Sequence, residues 1–287
     1  MKRVAITGAR GRLAPGVAAF LGDHGWSAAL FSRTASHGIR EISSLASPAV
    51  LGEFDAVLHL GWSSVPLLSE ESPGIEERED FPFARALAAA VASCGNPPLL
   101  VFASSAAVYG NTGEVVADEQ APCSPLGRYA AAKLEAEQIL SSAPRVCTLR
   151  ITNVFGIGGG ATRPQGIIPR LIGACRTGAE VTIWGEGNAM KDYLSVADLH
   201  EGILRILDAE VTGIFNVASG HVLSVNELIA LVETAVGSPL LRVAAPPFRW
   251  DVRCSRISAA ALQQRSGWAA RIDPAQAIRQ MARDTAT

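Results

Sequence analysis

The run RVAITGARGRLA, residues 3–14, decides how the rest of the chain is read. In its first part Val4, Ala5, Ile6 and Thr7 suit a strand buried on both faces. Gly8, Gly11 and Ala14 follow in a G-x-x-G-x-x-A spacing, and LAPGVAAFLGDHG (13–25) reads as a helix that stops near Gly25. A turn without side chains lets the backbone approach a pyrophosphate, and the helix behind it aims free N–H groups and its positive dipole end at the anion. A small residue at 14 lets that helix pack closely on the strand. Glycine turns between strand and helix are common on their own. Their place at the first strand–helix junction of the chain is what points to a bound dinucleotide.

Outward from this turn, short apolar runs alternate with helical patterns. SAALFS (27–32), FDAVLHLG (54–61), PLLVFASS (98–105) and RVCTLRI (145–151) read as strands. DFPFARALAAAVASCG (80–95) and GRYAAAKLEAEQIL (127–140) read as helices. This alternation predicts an α/β fold: a Rossmann-type, doubly wound parallel sheet with helices on both faces. Residues 1–155 are expected to form the dinucleotide-binding domain. Residues 156–287 are expected to build mainly a smaller substrate-binding lobe, with strands from about 180–218 partly returning to the sheet. GIGGGATRPQG (156–166) reads as a glycine-rich loop, expected to be mobile without ligand. Helices are expected at 167–177, 196–209, 224–236 and 274–284, and strands at 180–185 and 213–218.

Composition narrows the function. The 287 residues are 48% hydrophobic and 18% charged, with a formal net charge of −2, so a sizeable core is available. The arginines are dispersed, which argues against an extended nucleic-acid surface. Five scattered cysteines lack disulfide or metal spacing and fit reduced thiols in a cytoplasmic setting. No stretch approaches the roughly 18 apolar residues of a membrane span.

The end of the second strand normally selects the dinucleotide. Here it carries Ser32 and Arg33 and no carboxylate. An arginine pairs with a 2′-phosphate where an acid would accept from a ribose hydroxyl, so NADP(H) is favoured over NAD(H). Arg10 and Arg12 in the glycine turn add positive charge nearby. The fourth strand, FASS, ends on Ser104 and Ser105, both expected to face the crevice at the carboxyl end of the sheet. Tyr129 and Lys133 lie four apart and are therefore neighbours on one helix face. An ammonium beside a phenol favours the phenolate, and a serine hydroxyl holds a substrate oxygen in line with it. The set suits proton exchange with a carbonyl/alcohol couple.

In order and spacing, these motifs resemble the extended short-chain dehydrogenase/reductases, and among them the nucleotide-sugar epimerase/reductase/dehydratase group. The likeness covers nearly the whole chain. It includes VLHLG (57–61), SSAAVYG (104–110), LRITNVFG (149–156), WGEGNAMKDYLSVADL (184–199), FNVASG (215–220) and SGW (266–268). The resemblance implies Ser105, Tyr129 and Lys133 as catalytic residues, with Tyr129 the general acid/base and Lys133 on the nicotinamide ribose. It implies the backbone of Arg12 and Leu13 at the pyrophosphate, and Leu60, Gly61 and Trp62 beside the cofactor. Ser64, Ser105, Asn153, Ile167, Lys191 and Arg249 are implied at the substrate, a sugar nucleotide. Lys191 stands where the family has arginine and lacks the bidentate fork. Arg249 and Asp251 match the family's phosphate site only loosely, and Asp80 replaces a common asparagine. Ala106 and Ala107 cannot transfer protons, which disfavours dehydration and leaves 4-epimerase or 4-ketoreductase chemistry. Reduction of a non-nucleotide carbonyl compound is the alternative, and a non-catalytic NADP-sensing regulator stands behind both. The matching family helices also imply a homodimer.

Overall fold

The computed structural model describes residues 1–156 and 166–284. All but the ends of the loop expected at 156–166 lies outside the described residues. Among the described residues twelve strands occur: β1 (Lys2–Thr7), β2 (Trp26–Ser32), β3 (Ile39–Glu41), β4 (Ala56–His59), β5 (Leu99–Ser105), β6 (Val146–Ile151), β7 (Asn153–Phe155), β8 (Val181–Trp184), β9 (Met190–Ser195), β10 (Gly213–Val217), β11 (Val222–Ser224) and β12 (Arg242–Ala245). The helices are α1 (Ala14–Asp23), α2 (Pro48–Leu51), α3 (Pro66–Glu71), α4 (Ile75–Glu79), α5 (Phe81–Ala92), α6 (Arg128–Leu140), α7 (Ile167–Thr177), α8 (Val196–Asp208), α9 (Val225–Val236), α10 (Ala260–Ser266) and α11 (Pro274–Asp284).

Seven strands make one sheet in the order β10-β6-β5-β4-β1-β2-β3. Every neighbouring pair in it is parallel. The order reverses at β1, which is flanked by β2 on one side and β4 on the other. In a doubly wound sheet this switch point opens a crevice at the strands' carboxyl ends. Gly8 after β1 and Leu60–Gly61 after β4 line it.

Alternation along each strand sends side chains to two cores. Val4 and Ile6 pack with Val17, Leu21, Leu199 and Ile203, under α1 and α8. Ala5, Val57, Leu100 and Phe102 pack with Leu87, Ala136 and Leu140, under α5 and α6. A third core joins α7, α9 and α11 through Leu171, Leu228 and Ile278 and forms the smaller C-terminal lobe.

The long periodic elements match the sequence reading closely. The run at 213–218 joins the main sheet as β10 beside β6. The run at 180–185 does not; it becomes β8 and pairs with β12. Strands β3, β7, β9, β11 and β12 were not anticipated. All but β9 have three or four residues, too few for a period to register.

Candidate active site

The glycine turn and the end of β4 meet back to back. Gly8 has φ of 80°, and a Cβ there would fall 2.9 Å from the Cα and N of Gly61. A Cβ on Gly11 would fall 2.9 Å from the Gly8 carbonyl oxygen, which accepts the Gly11 N–H at 2.7 Å. Gly61 donates its N–H to Thr7 Oγ1 at 2.9 Å, and Thr7 Oγ1 is bonded to His59 Nδ1 at 2.7 Å. Burial, helped by the charge of Lys133, pushes His59 down to about 3, so it stays neutral. The cradle is thus bare backbone held by a buried Thr–His pair, with α1 starting at Ala14 behind it. These residues fit a dinucleotide pyrophosphate.

At the end of β2 the side chains are already engaged. The buried Ser32 donates to the Thr34 carbonyl at 2.5 Å, and Arg10 Nη2 donates to the same carbonyl at 3.4 Å. Arg33 Nη1 donates to Glu79 at 2.8 Å and to Ser63 Oγ at 3.3 Å. The arginine on which the NADP(H) expectation rested therefore faces a carboxylate.

Ser105, Tyr129 and Lys133 come together as expected. Ser105 ends β5, and its hydroxyl accepts the Ala107 N–H at 3.2 Å, which opens the turn 106–109. The Ser105 hydroxyl lies on the Tyr129 side and favours the ionised phenol. Lys133, buried one turn along α6, donates Nζ to the Ala103 carbonyl at 2.8 Å. Burial pushes the Tyr129 phenol up to about 12; the Ser105 hydroxyl opposes this, and the charges of Glu76 and Asp80 add to it. Burial likewise pulls Lys133 down to about 7, against Asp80, Glu137 and Glu76, which support its charge. The expected lowering of the tyrosine by the lysine is not seen; desolvation governs the phenol instead.

Ser104 does not face the crevice. Adjacent strand residues point to opposite faces. Ser104 donates to Glu137 at 2.5 Å beneath α6. Glu137 in turn holds Arg150 of β6 through bonds of 3.2, 3.2 and 2.8 Å. Arg150 donates to Tyr109, and Tyr109 donates to Asn216 of β10 at 2.8 Å. This buried chain ties α6 to three strands and sets the level of Tyr129 over the sheet. Its one sequence signal was Glu137, four residues after Lys133 on the same helix face.

Two more carboxylates reach the site: Asp80, which the sequence marked as a departure, and Glu76, which it did not. Asp80 accepts the Ser63 N–H at 3.1 Å and the Ser63 hydroxyl at 2.9 Å, and burial raises its carboxyl above the usual range. Glu76 is almost fully buried and accepts the hydroxyl of Ser64. Ser64, expected at the substrate, is thus turned to α4.

The other expected substrate residues are spread over the lobe. Asn153, exposed at β7, donates to the Asp192 carbonyl at 3.0 Å. Ile167 starts α7 and packs on the lobe core. Lys191 does not stand open to a phosphate: Nζ donates to Asp251 at 2.9 Å and to the Val252 carbonyl. Arg249 is exposed, between Phe248 and Trp250. Trp184, Phe248 and Trp250 stack in a row at 4.3 and 4.5 Å. A Cβ on Gly127, just before α6, would meet Trp250 Cβ at 3.1 Å, so this aromatic row reaches the helix end that carries Tyr129.

A doubly wound sheet with a bare glycine cradle at its switch point, and with Ser105 at the end of β5 below Tyr129 and Lys133 of α6, defines an extended short-chain dehydrogenase/reductase. Residues 4–218 match the family described as the NAD dependent epimerase/dehydratase family, and the chain belongs to it. It is an enzyme family that works with a nicotinamide dinucleotide. The chain is 26% identical to the UDP-glucose 4-epimerase of Corynebacterium glutamicum over 93% of its own length and 90% of that protein's. Among solved structures it resembles MoeE5 in complex with UDP-glucose and NAD, with a TM-score of 0.87, 25% identity, and coverage of 99% of this chain and 100% of that one. It also resembles the UDP-glucose 4-epimerase of Thermus thermophilus in complex with NAD, with a TM-score of 0.84, 25% identity and 98% of each chain covered. Among the described residues, no helix is long and apolar enough to cross a membrane.

Proposed function

We propose that the protein interconverts epimers of a sugar nucleotide at C4 by transient oxidation, with Tyr129 as acid/base. The observation that carries this reading is Tyr129 one helical turn from the buried Lys133, whose Nζ is fixed to the Ala103 carbonyl of the strand that ends on Ser105. The bound dinucleotide supplies the site that takes and returns hydride. Ser105 holds the 4-oxygen, and Tyr129 accepts its proton and later returns it. Lys133, while charged, favours the phenolate that this transfer needs. Ala106 and Ala107 contribute no acid or base, which sets epimerisation or a single ketoreduction above dehydration. Residues 1–155 hold mainly the cofactor, and the lobe beyond 156 mainly the sugar nucleotide. The relatives' UDP-sugar complexes support that substrate class.

For the cofactor, the resting geometry suits NAD(H), because Glu79 neutralises Arg33. The NADP(H) reading rests on an exposed ion pair worth only about 0–1 kcal/mol, which a 2′-phosphate displaces. A homodimer through α5 and α6 is part of the proposal; both helices expose alanines that allow close packing. A second reading, reduction of a non-nucleotide carbonyl compound, is favoured by Lys191 being paired with Asp251.

The test is incubation of purified protein with UDP-glucose or UDP-galactose and NAD+, followed by anion-exchange chromatography. Interconversion is expected, and Tyr129→Phe is expected to bind NAD+ while losing about 10²–10⁴-fold in turnover. Full turnover by Tyr129→Phe sinks the mechanism. Failure to bind any UDP-sugar transfers the case to the second reading.

A further inference from the structure

Lys133 is a buried cation without an ion-pair partner. Among the described residues, no carboxylate lies within ion-pair distance of its Nζ. The three that act on it through space are committed elsewhere: Glu76 to Ser64, Asp80 to Ser63, and Glu137 to Ser104 and Arg150. Apart from the Ala103 carbonyl, what touches the ammonium is aromatic. Nζ stands 3.9 Å from the centroid of the Trp62 ring and 4.9 Å from that of Phe102. The Tyr129 ring is farther, at 5.9 Å.

Packing alone sets the orientation of Trp62. Its ring leans on Phe81 at 6.4 Å and on Phe102 at 6.1 Å between centroids. Its Nε1 is buried and has no hydrogen-bond partner among the described residues. The indole is thus held by its body and presents a face, not its N–H, to the lysine. An indole face over a desolvated ammonium is the strongest of the aromatic cation contacts.

We propose that Trp62 is a positioning residue for Lys133: its ring face keeps the buried ammonium charged and aimed at the Ala103 carbonyl, beside Tyr129. This deepens the proposed mechanism and rests on it only for the consequence to turnover. The groups facing the lysine are Glu76 and Asp80 from α4 and the start of α5, Glu137 and Tyr129 from α6, and His59 from β4. The carboxylates favour the charge, and burial opposes it. His59 stays neutral and adds no charge. With burial holding Lys133 near neutrality, the aromatic face decides how much of it is charged at physiological pH.

The experiment is simple because the chain has three lysines, Lys2, Lys133 and Lys191. Protein labelled with 13Cε-lysine is titrated by NMR as wild type, Trp62→Phe and Trp62→Leu, with Lys133 assigned by its loss in Lys133→Met. In wild type the Lys133 ε-protons are expected upfield of those of Lys191 through the indole ring current; Lys2 itself lies 5.2 Å from the centroid of the Trp26 ring and is not the reference. Trp62→Leu is expected to lower the Lys133 midpoint by about one pH unit, and Trp62→Phe to restore at least half of that. The low-pH limb of kcat for sugar oxidation is expected to move upward in Trp62→Leu and to return in Trp62→Phe. The same midpoint in Trp62→Leu as in wild type overturns the proposal, as does a Trp62→Phe midpoint no higher than that of Trp62→Leu. If Trp62→Leu fails to fold, the wild-type ring-current shift decides, and its absence is equally fatal. The titration needs no turnover, so it stands or falls separately from the sugar-nucleotide reading.

Discussion

Replacing Lys133 by methionine should stabilise the protein while removing its activity. Burial pulls Lys133 from the usual 10.5 to about 7, which corresponds to about 5 kcal/mol of destabilisation wherever the amine is charged in both folded and unfolded chains. Methionine fills a similar volume without a charge to desolvate. The substitution loses the bond to Ala103 and the contact with Trp62, together about 1–3 kcal/mol. The net gain is about 2–4 kcal/mol, or roughly 4–8 °C in Tm for a chain of this size. The folded-state value lies below the unfolded one, so the penalty is complete below about pH 7. As pH rises from there, the folded lysine sheds its proton and the unfolded one does not. Wild type therefore recovers stability up to about pH 10.5, where the advantage of Lys133→Met disappears. Thermal melts by circular dichroism at about pH 6 and about pH 9.5, with a turnover assay alongside, test this. A variant that melts at or below wild type at the lower pH, or an advantage independent of pH, refutes the argument.

Other substitutions separate the parts of the site. Gly8→Ala places a Cβ 2.9 Å from Gly61 in a left-handed backbone, and dinucleotide affinity by calorimetry should fall by about 10²-fold; unchanged affinity would remove the cradle from the cofactor site. Glu137→Gln leaves Arg150 charged and unpaired in the interior and should cost about 3–5 kcal/mol in urea unfolding, with little loss if the network is incidental. Glu79→Gln frees Arg33 and should move the NADPH-to-NADH ratio of kcat/KM about tenfold towards NADPH, and Arg33→Asp should move it the other way. A ratio indifferent to both changes would mean that this pair does not face the adenosine ribose.

Much of the molecule was legible in the chain itself. The strand–glycine–helix opening and the alternation behind it specify a doubly wound sheet, because local period and turn chemistry are short-range properties. The Tyr129–Lys133 spacing and Ser105 at a strand end were likewise readable, since one helical turn and one strand terminus place them. Tertiary structure decided what those residues experience. Desolvation, which no sequence window reports, sets Tyr129 and Lys133 against the simple expectation of a lysine-acidified phenol. Strand alternation turned Ser104 away from the crevice and into the Glu137–Arg150 chain. Long-range pairing engaged Arg33, Ser64 and Lys191 with Glu79, Glu76 and Asp251, at separations of 46, 12 and 60 residues. Several family motifs also proved to be halves of joints. Tyr109 of SSAAVYG bonds Asn216 of FNVASG, and Asp192 of KDY gathers Thr152, Ser219 and Gly220. Trp268 of SGW donates to the Asp198 carbonyl of SVADL. A local pattern names the residues of such joints, but which one meets which is settled only when the sheet has closed around them.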